Sequence, residues 1–250
     1  MLKYNIHISS RYEYMRQFIE SIVINGVPGD AEVIYKGRNT VYRLKAFNKS
    51  IIIKSFKLPA FFNSYIYTNF RKSKAERSYL NSKKLQQLGF RTPPIIAYGE
   101  VLRGHKLLNS YYISEEIHGT EMRNWENLPD TDGLLHGLAG EMHRLYQCHV
   151  WHKDFSPGNI LFVGSPQEGY KYYYVDVNRM KFDVTDRSKL MTMFRSIHLD
   201  DNETDRLARH YAEVSGEPVD TILTEARAAH EKYITSRKKR RRLKSIFKHK

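Results

Sequence analysis

Between residues 31 and 57 the chain alternates apolar and polar positions, AEVIYKGRNTVYRLKAFNKSIIIKSFK, with turn signals at 36–39 and 48–50. A period of two puts successive side chains on opposite faces of a pleated strand. The stretch therefore predicts three antiparallel strands, the last ending in the apolar run 51–53. A helical pattern follows from about residue 73 to 88 and stops at Gly89, since glycine is favoured just past a helix end. The segments PPIIAYGEVL and NSYYISEEI read as two more strands. The first part of the chain is thus expected to be a small antiparallel sheet with one helix.

After Gly119 the period changes. Leu134, Leu135, Leu138, Met142 and Leu145 recur at three- and four-residue spacing, with Thr131 as the expected N-cap. The stretch WHKDFSPGNILFV at 151–163 follows, broken by a Pro-Gly pair. ILFV, the turn GSPQEG and YKYYYVDV then predict a hairpin. Residues 186–199, 203–214 and the chain from Pro218 onward read as helices, Pro218 standing in a favoured first-turn position. The expected class is α+β and bilobal: a sheet-rich lobe over 1–117, a mainly helical lobe with an embedded hairpin over 118–236, and a basic tail over 237–250.

A chain of 250 residues is long enough to bury a sizeable core, and 41% hydrophobic residues exclude global disorder. Cys148 is the single cysteine, so no intramolecular disulfide forms, which fits a reducing compartment. The first 26 residues carry charges every few positions and lack a signal-peptide core. No segment approaches the roughly 20 apolar residues that span a bilayer. A cytoplasmic protein is expected.

Charge changes this picture at one end. The formal net charge is +14, and the last fourteen residues, RKKRRRLKSIFKHK, hold nine Lys/Arg and no acid. Taking those nine from +14 leaves a body of +5. Such a tail suits an anionic partner, whether membrane lipid, nucleic acid or an acidic protein, against the bland reading of a solvated end. Leu243, Ile246 and Phe247 recur three and four apart among the cations, the pattern of an interfacial amphipathic segment. Five aromatics at 58–72, in LPAFFNSYIYTNFRK, read either as an insert packed on the sheet or as a surface gripping lipid headgroups or an acceptor.

The candidate chemistry lies around the hairpin. Asn159 immediately precedes its first strand and Asp176 ends its second, and antiparallel pairing sets those ends side by side. Asp154 lies on the loop just before. Two carboxylates and an amide carbonyl suit a hard cation such as Mg²⁺, whose remaining ligands are phosphate and water. His152 is expected as a buried organiser of this loop. His143, Cys148, His149 and His152 cluster within ten residues, but match no paired-ligand spacing for zinc.

His152-x-Asp154-x₄-Asn159 followed by Asp176 resembles the catalytic and metal-binding loops of the protein-kinase-like superfamily. In that resemblance, IIIK is the third strand and Lys54 its phosphate-binding lysine. Glu76, the only acid between Lys54 and Glu100, is the helix glutamate that pairs with it. SEEIHG resembles the hinge, where backbone groups near Glu115 and Ile117 meet adenine. Two departures stand out. KGRNTVYR contains only Gly37 where a glycine-rich loop is usual, so Arg38, Asn39 and Thr40 are expected to contact phosphates. Asp-Phe-Gly is replaced by Asp176-Val177-Asn178, and no Ala-Pro-Glu follows.

RKSKAERSYLNSKKLQQLGFRTPPIIAYGE, HKDFSPGNILF and VDVNRMKF together resemble bacterial lipopolysaccharide kinases of the Kdo/heptose type. The resemblance implies ATP and Mg²⁺ as cofactors and a lipopolysaccharide core or Kdo–lipid A acceptor. It also implies a peripheral place on the inner face of the cytoplasmic membrane. Asp154 would serve as base, Lys54 and Glu76 as the phosphate pair, and Asn159 and Asp176 as metal ligands. A small-molecule phosphotransferase, an atypical protein kinase and a non-catalytic pseudokinase or nucleic-acid-binding adaptor are the alternatives.

Overall fold

A computed structural model describes residues 1–56, 72–128, 130–197 and 199–246, with side chains throughout except at 126–127, 195–196 and 237–246. The aromatic stretch at 58–71 and the side chains of Leu243, Ile246 and Phe247 lie outside the described residues. The chain divides into two compact units, Met1–His118 with Asp176–Asn178, and Gly119–Val175 with Arg179–Lys250.

The first unit is built on six antiparallel strands. These are β1 (Leu2–Ile8), β2 (Glu32–Lys36), β3 (Asn39–Ala46), β4 (Lys49–Phe56), β5 (Ile95–Arg103) and β6 (Lys106–Glu115), in the order β1-β5-β6-β4-β3-β2. Helix α1 (Arg16–Asn25) follows β1, and α2 (Lys74–Gln87) precedes β5. Alternation in β4 divides its side chains between two cores. Ile51 and Ile53, both fully buried, pack with Ile19, Ile22 and Val23 of α1. On the opposite face Phe56 packs with Ala75 and Tyr79 of α2. Gly99 on β5 is required by this packing, because a Cβ there would collide with Val23.

The sheet therefore carries two helices where one was expected, and β1 and α1 are additions to the sequence reading. The predicted strands at 31–57 appear as β2, β3 and β4. Helix α2 starts one residue after its cap Ser73, whose hydroxyl accepts from Glu76 N–H at 3.0 Å. It ends before Gly89, which has a φ of 79°.

Two acids end β6. Glu115 accepts from Tyr12 Oη at 2.7 Å and Lys49 Nζ at 2.5 Å. Glu116 accepts from Arg43 Nε at 2.9 Å, Arg43 NH2 at 2.6 Å and Ser50 Oγ at 2.6 Å. Burial alone would raise the Glu116 carboxyl, but these hydrogen bonds outweigh it and hold it below the usual range. A depressed folded value stabilises the fold above the unfolded carboxyl value of about 4.3. That stabilisation is lost as pH falls through the folded value. Glu116→Gln should therefore lower unfolding free energy at pH 7 by about 1–3 kcal/mol. The difference from wild type should shrink below about pH 4. Urea titrations at both pH values check this, and a pH-independent difference would contradict the ion-pair account.

In the second unit, β7 (Thr120–Glu121), β8 (Ile160–Ser165) and β9 (Gly169–Tyr174) form a small sheet in that order. Helix α3 (Thr131–Gln147) is followed beyond the hairpin by α4 (Arg187–Met191), α5 (Met193–Ser196), α6 (Asp201–Ser215) and α7 (Val219–Ile246). Leu134, Leu135, Leu138, Met142 and Leu145 form the buried stripe of α3, as their spacing requires. Hairpin and helix are tied by Tyr172, whose phenol donates to Leu134 O at 2.5 Å, and by Tyr174, which donates to Glu141 Oε2 at 3.3 Å.

The helix ends differ from expectation in detail. Asp130, not Thr131, caps α3, since its carboxylate reaches Gly133 N–H at 2.8 Å while Thr131 is already helical. Asp200 and Glu203 form a reciprocal capping box, so α6 begins two residues before the expected start. Residues 186–199 make two short helices rather than one, parted at Thr192, whose hydroxyl donates back to Lys189 O at 2.6 Å. Pro218 stands just before α7 and accepts from Thr221 and Ile222 N–H. Arg187 joins α4 to the start of α7 by pairing with Glu217 at 2.7 Å and Glu225 at 2.8 Å.

Candidate functional site

Lys54 sits opposite Val41 on β3 and Tyr112 on β6, in the middle of the first unit's sheet. Being an even position, it shares the Phe56 face of β4 rather than the α1 face. Its ammonium meets Asp176 Oδ2 at 2.6 Å, with 14% and 23% of the two side chains exposed. The other oxygen, Oδ1, accepts from the Asn178 amide. Asp176 is therefore held by two donors of different kinds, one charged and one neutral.

Helix α2 holds the backbone of this short segment. Arg77 Nε donates to Asn178 O at 3.1 Å, and Asn81 Nδ2 donates to Val177 O at 2.7 Å. Residues 77 and 81 are one helical turn apart and face the same way. These bonds explain why Asp176–Asn178 belongs with the first unit although its flanking residues do not. They also give Asn178 a place: it orients the carboxylate two residues before it.

The expected partner of Lys54 was Glu76. Among the described residues Lys54 pairs with Asp176 instead, and Glu76 meets Lys72 at 3.4 Å, one turn away. The physical reason is local. Ser73 caps α2 through Glu76 N–H, which fixes that residue in the first turn within reach of Lys72.

The remaining candidates of the first unit are placed as follows. Gly37 lies in the β2–β3 turn, and its N–H is already bonded to Asn39 O at 3.0 Å. Arg38 is exposed at the tip, Thr40 is buried, and Asn39 Oδ1 is buried with no partner among the described residues. Glu115 N–H donates to Pro94 O at 2.9 Å, so that donor is used inside the fold. Ile117 follows outside any strand.

In the second unit the 152–159 loop is organised from within. His152, 1% exposed, packs against the rings of Phe155 and Tyr174. Its Nδ1 accepts from Asp154 N–H at 3.3 Å. Asn159 Nδ2 donates to Asp154 O at 2.9 Å, bridging the loop. The amide nitrogen of Asn159 is thereby used, and its carbonyl oxygen is the group that suits a hard cation. Val175 N–H donates to Asn159 O at 3.1 Å and closes the hairpin base, one residue before Asp176 in the chain. Asp154 keeps a half-exposed carboxylate, with Arg179 NH1 at 3.3 Å.

Two cations of α2 were not singled out in the sequence. Lys74, its first residue, has its ammonium 5.7 Å from the Phe56 ring centre. Arg77 anchors Asn178, as described. Lys74, Arg77 and Asn81 stand at i, i+3 and i+7, so a polar stripe on one helix face was the available signal. Burial and the neighbouring charges of Arg38 and Arg77 lower the Lys74 pKa, while Asp176 acts in the opposite direction.

The architecture is the protein-kinase-like fold. The chain aligns with WaaP in complex with acyl carrier protein at a TM-score of 0.64, 14% identity, over 94% of this chain and 98% of that one. It aligns with the Rio2 kinase–ADP/Mg²⁺–phosphoaspartate complex from Chaetomium thermophilum at a TM-score of 0.50 and 14% identity, over 92% and 78%. No protein-family model matches the sequence, and no match was found among the curated proteins compared. Among the described residues no helix is long and apolar enough to cross a membrane.

Proposed function

We propose that the protein is a phosphotransferase that moves the γ-phosphoryl group of ATP to a hydroxyl of an inner-core sugar, Kdo or heptose, of lipopolysaccharide. The observation that carries this reading is the Lys54–Asp176 pair on the sheet face of a kinase-like fold. Asp154 orients the acceptor hydroxyl and takes its proton. Lys54, fixed by Asp176, contacts the phosphates. Asn159 and Asp176 hold Mg²⁺, and their oxygens are the donor types this ion selects. Bound magnesium would neutralise phosphate charge as transfer proceeds. The protein's own share is positioning and fixed charge rather than covalent chemistry.

The sugar acceptor is favoured by the sequence resemblance over 71–100, 152–162 and 175–182. The tail supports a membrane-surface site of action. Nine cations near an anionic leaflet contribute on the order of 1 kcal/mol each, enough for reversible docking. Acyl carrier protein, the partner in the WaaP structure, is a further candidate partner of this basic chain.

The test is transfer from γ-labelled ATP, with Mg²⁺, to lipopolysaccharide or Kdo–lipid A, in detergent and on anionic vesicles. A form ending at Ser236 runs alongside; it keeps Ile222, Leu223, Ala226, Ala229 and His230, the buried side chains of α7 among the described residues. Label on the glycolipid is the expected result, with the shortened form losing activity on vesicles alone. ATP turnover onto protein with glycolipid untouched would overturn the sugar acceptor. Equal activity of both forms on vesicles would overturn the role of the tail.

A further inference from the structure

The β2–β3 turn is poorly suited to bind phosphates through its backbone. Gly37 is its single glycine, and that residue's N–H is closed onto Asn39 O. Side-chain cations are gathered nearby instead. The ammonium groups of Lys54 and Lys74 stand 5.5 Å and 5.7 Å from the centre of the same buried ring, Phe56. Arg38, Arg77, Lys54 and Asp176 are the charges that act on Lys74. Of these cations, Lys54 is engaged by Asp176, and Arg77 by the carbonyls of Asn178 and Lys72. Lys74 is half-buried, and among the described residues no carboxylate lies within 4 Å of its ammonium. A partly desolvated ammonium among three other cations and one acid is unfavourable unless a multiply charged anion joins it.

We infer that Lys74 is a phosphate-binding residue, and that with Arg38 and Lys54 it forms a side-chain cradle for the polyphosphate of the nucleotide. The inference rests on the nucleotide reading of the site and adds to it where the charge comes from. Helix α2 supplies it directly, through its first residue. Lysine fits the place because three donors on one compact charge adapt to phosphate oxygens without the planar geometry that arginine imposes.

Lys74→Met tests this, since methionine keeps an aliphatic stem over Phe56 and removes the charge. Lys74→Arg and Lys54→Met are measured beside it. The readouts are equilibrium dissociation constants for ATP with Mg²⁺, for ADP and for adenosine, at two salt concentrations, together with the melting temperature. Lys74→Met should weaken ATP by about tenfold, the equivalent of one charge-assisted contact, with a shallower salt dependence. Adenosine affinity should stay unchanged, the melting temperature should not fall, and Lys74→Arg should recover most of the ATP affinity. ATP binding to Lys74→Met within twofold of wild type would overturn the inference and leave Lys74 as a cover for Phe56. Equal weakening of ATP and adenosine would also overturn it, as a sign of general distortion. A wild-type protein that binds neither ATP nor ADP would remove the nucleotide reading itself, and this inference with it.

Discussion

Asp154→Ala should lower phosphoryl transfer by about 10²–10⁴-fold, the usual contribution of a positioned general base. ATP affinity in the presence of Mg²⁺ should stay within about twofold of wild type, because the residue acts on the acceptor and not on the nucleotide. The local structure makes this a clean substitution. The Asp154 backbone is held by His152 through its N–H and by Asn159 through its carbonyl, and neither bond involves the side chain. Among the described residues the carboxylate itself meets only the half-exposed Arg179, at 3.3 Å. Losing that exposed contact is worth little in stability. Rate and fold are therefore separable here. Single-turnover transfer and a nucleotide titration on the same preparation measure the two quantities. A fully active variant would remove Asp154 from the mechanism, and a large loss of ATP affinity would move its role to the nucleotide.

The parts of this molecule that were legible in the sequence are those fixed by short-range patterns. Strands β2, β3 and β4 follow from alternation punctuated by turn residues, and α2 from a helical pattern with a stop at Gly89. The loop from His152 to Asn159 is likewise local, and its internal hydrogen bonds span no more than five residues. What stayed hidden is non-local. Strand β1 alternates Tyr4, Ile6 and Ile8 with polar residues, but among the described residues it is an edge strand paired only with β5, more than 80 residues on. Nothing nearby in the chain marks it as part of the sheet. The partner of Lys54 is 122 residues away, whereas the resemblance points to Glu76, the only acid between Lys54 and Glu100. Counting acids along a segment cannot weigh one that returns from a distant hairpin. From the sequence Asn178 reads either as a further metal ligand or as a turn residue. Its role depends on the Asp176 carboxylate and on Arg77, one of them local and one 101 residues distant.

Asp176→Asn should be as damaging as loss of the base, for a different reason. Both groups that hold Asp176 are donors: the Lys54 ammonium on Oδ2 and the Asn178 amide on Oδ1. A carboxylate offers an acceptor to each, but an asparagine side chain offers one acceptor and one donor. With its nitrogen toward Lys54 the new amide sets a donor against a donor; turned the other way it requires Asn178 to flip its own amide, and in both cases the charge opposing Lys54 is gone. The short segment should then lose its fixed orientation while Arg77 and Asn81 still hold its backbone carbonyls. Transfer should fall by about 10²–10³-fold, the range seen when one preorganised electrostatic group is removed. The decisive readout is the magnesium dependence of nucleotide binding. In the wild-type protein Mg²⁺ should tighten ATP binding; in Asp176→Asn that tightening should be largely lost, while in Asp154→Ala it should persist. The pair of variants thus assigns the two acids independently of any acceptor. If Asp176→Asn kept the wild-type response to Mg²⁺, Asp176 would be a positioning partner of Lys54 alone, and the metal would have to be held elsewhere.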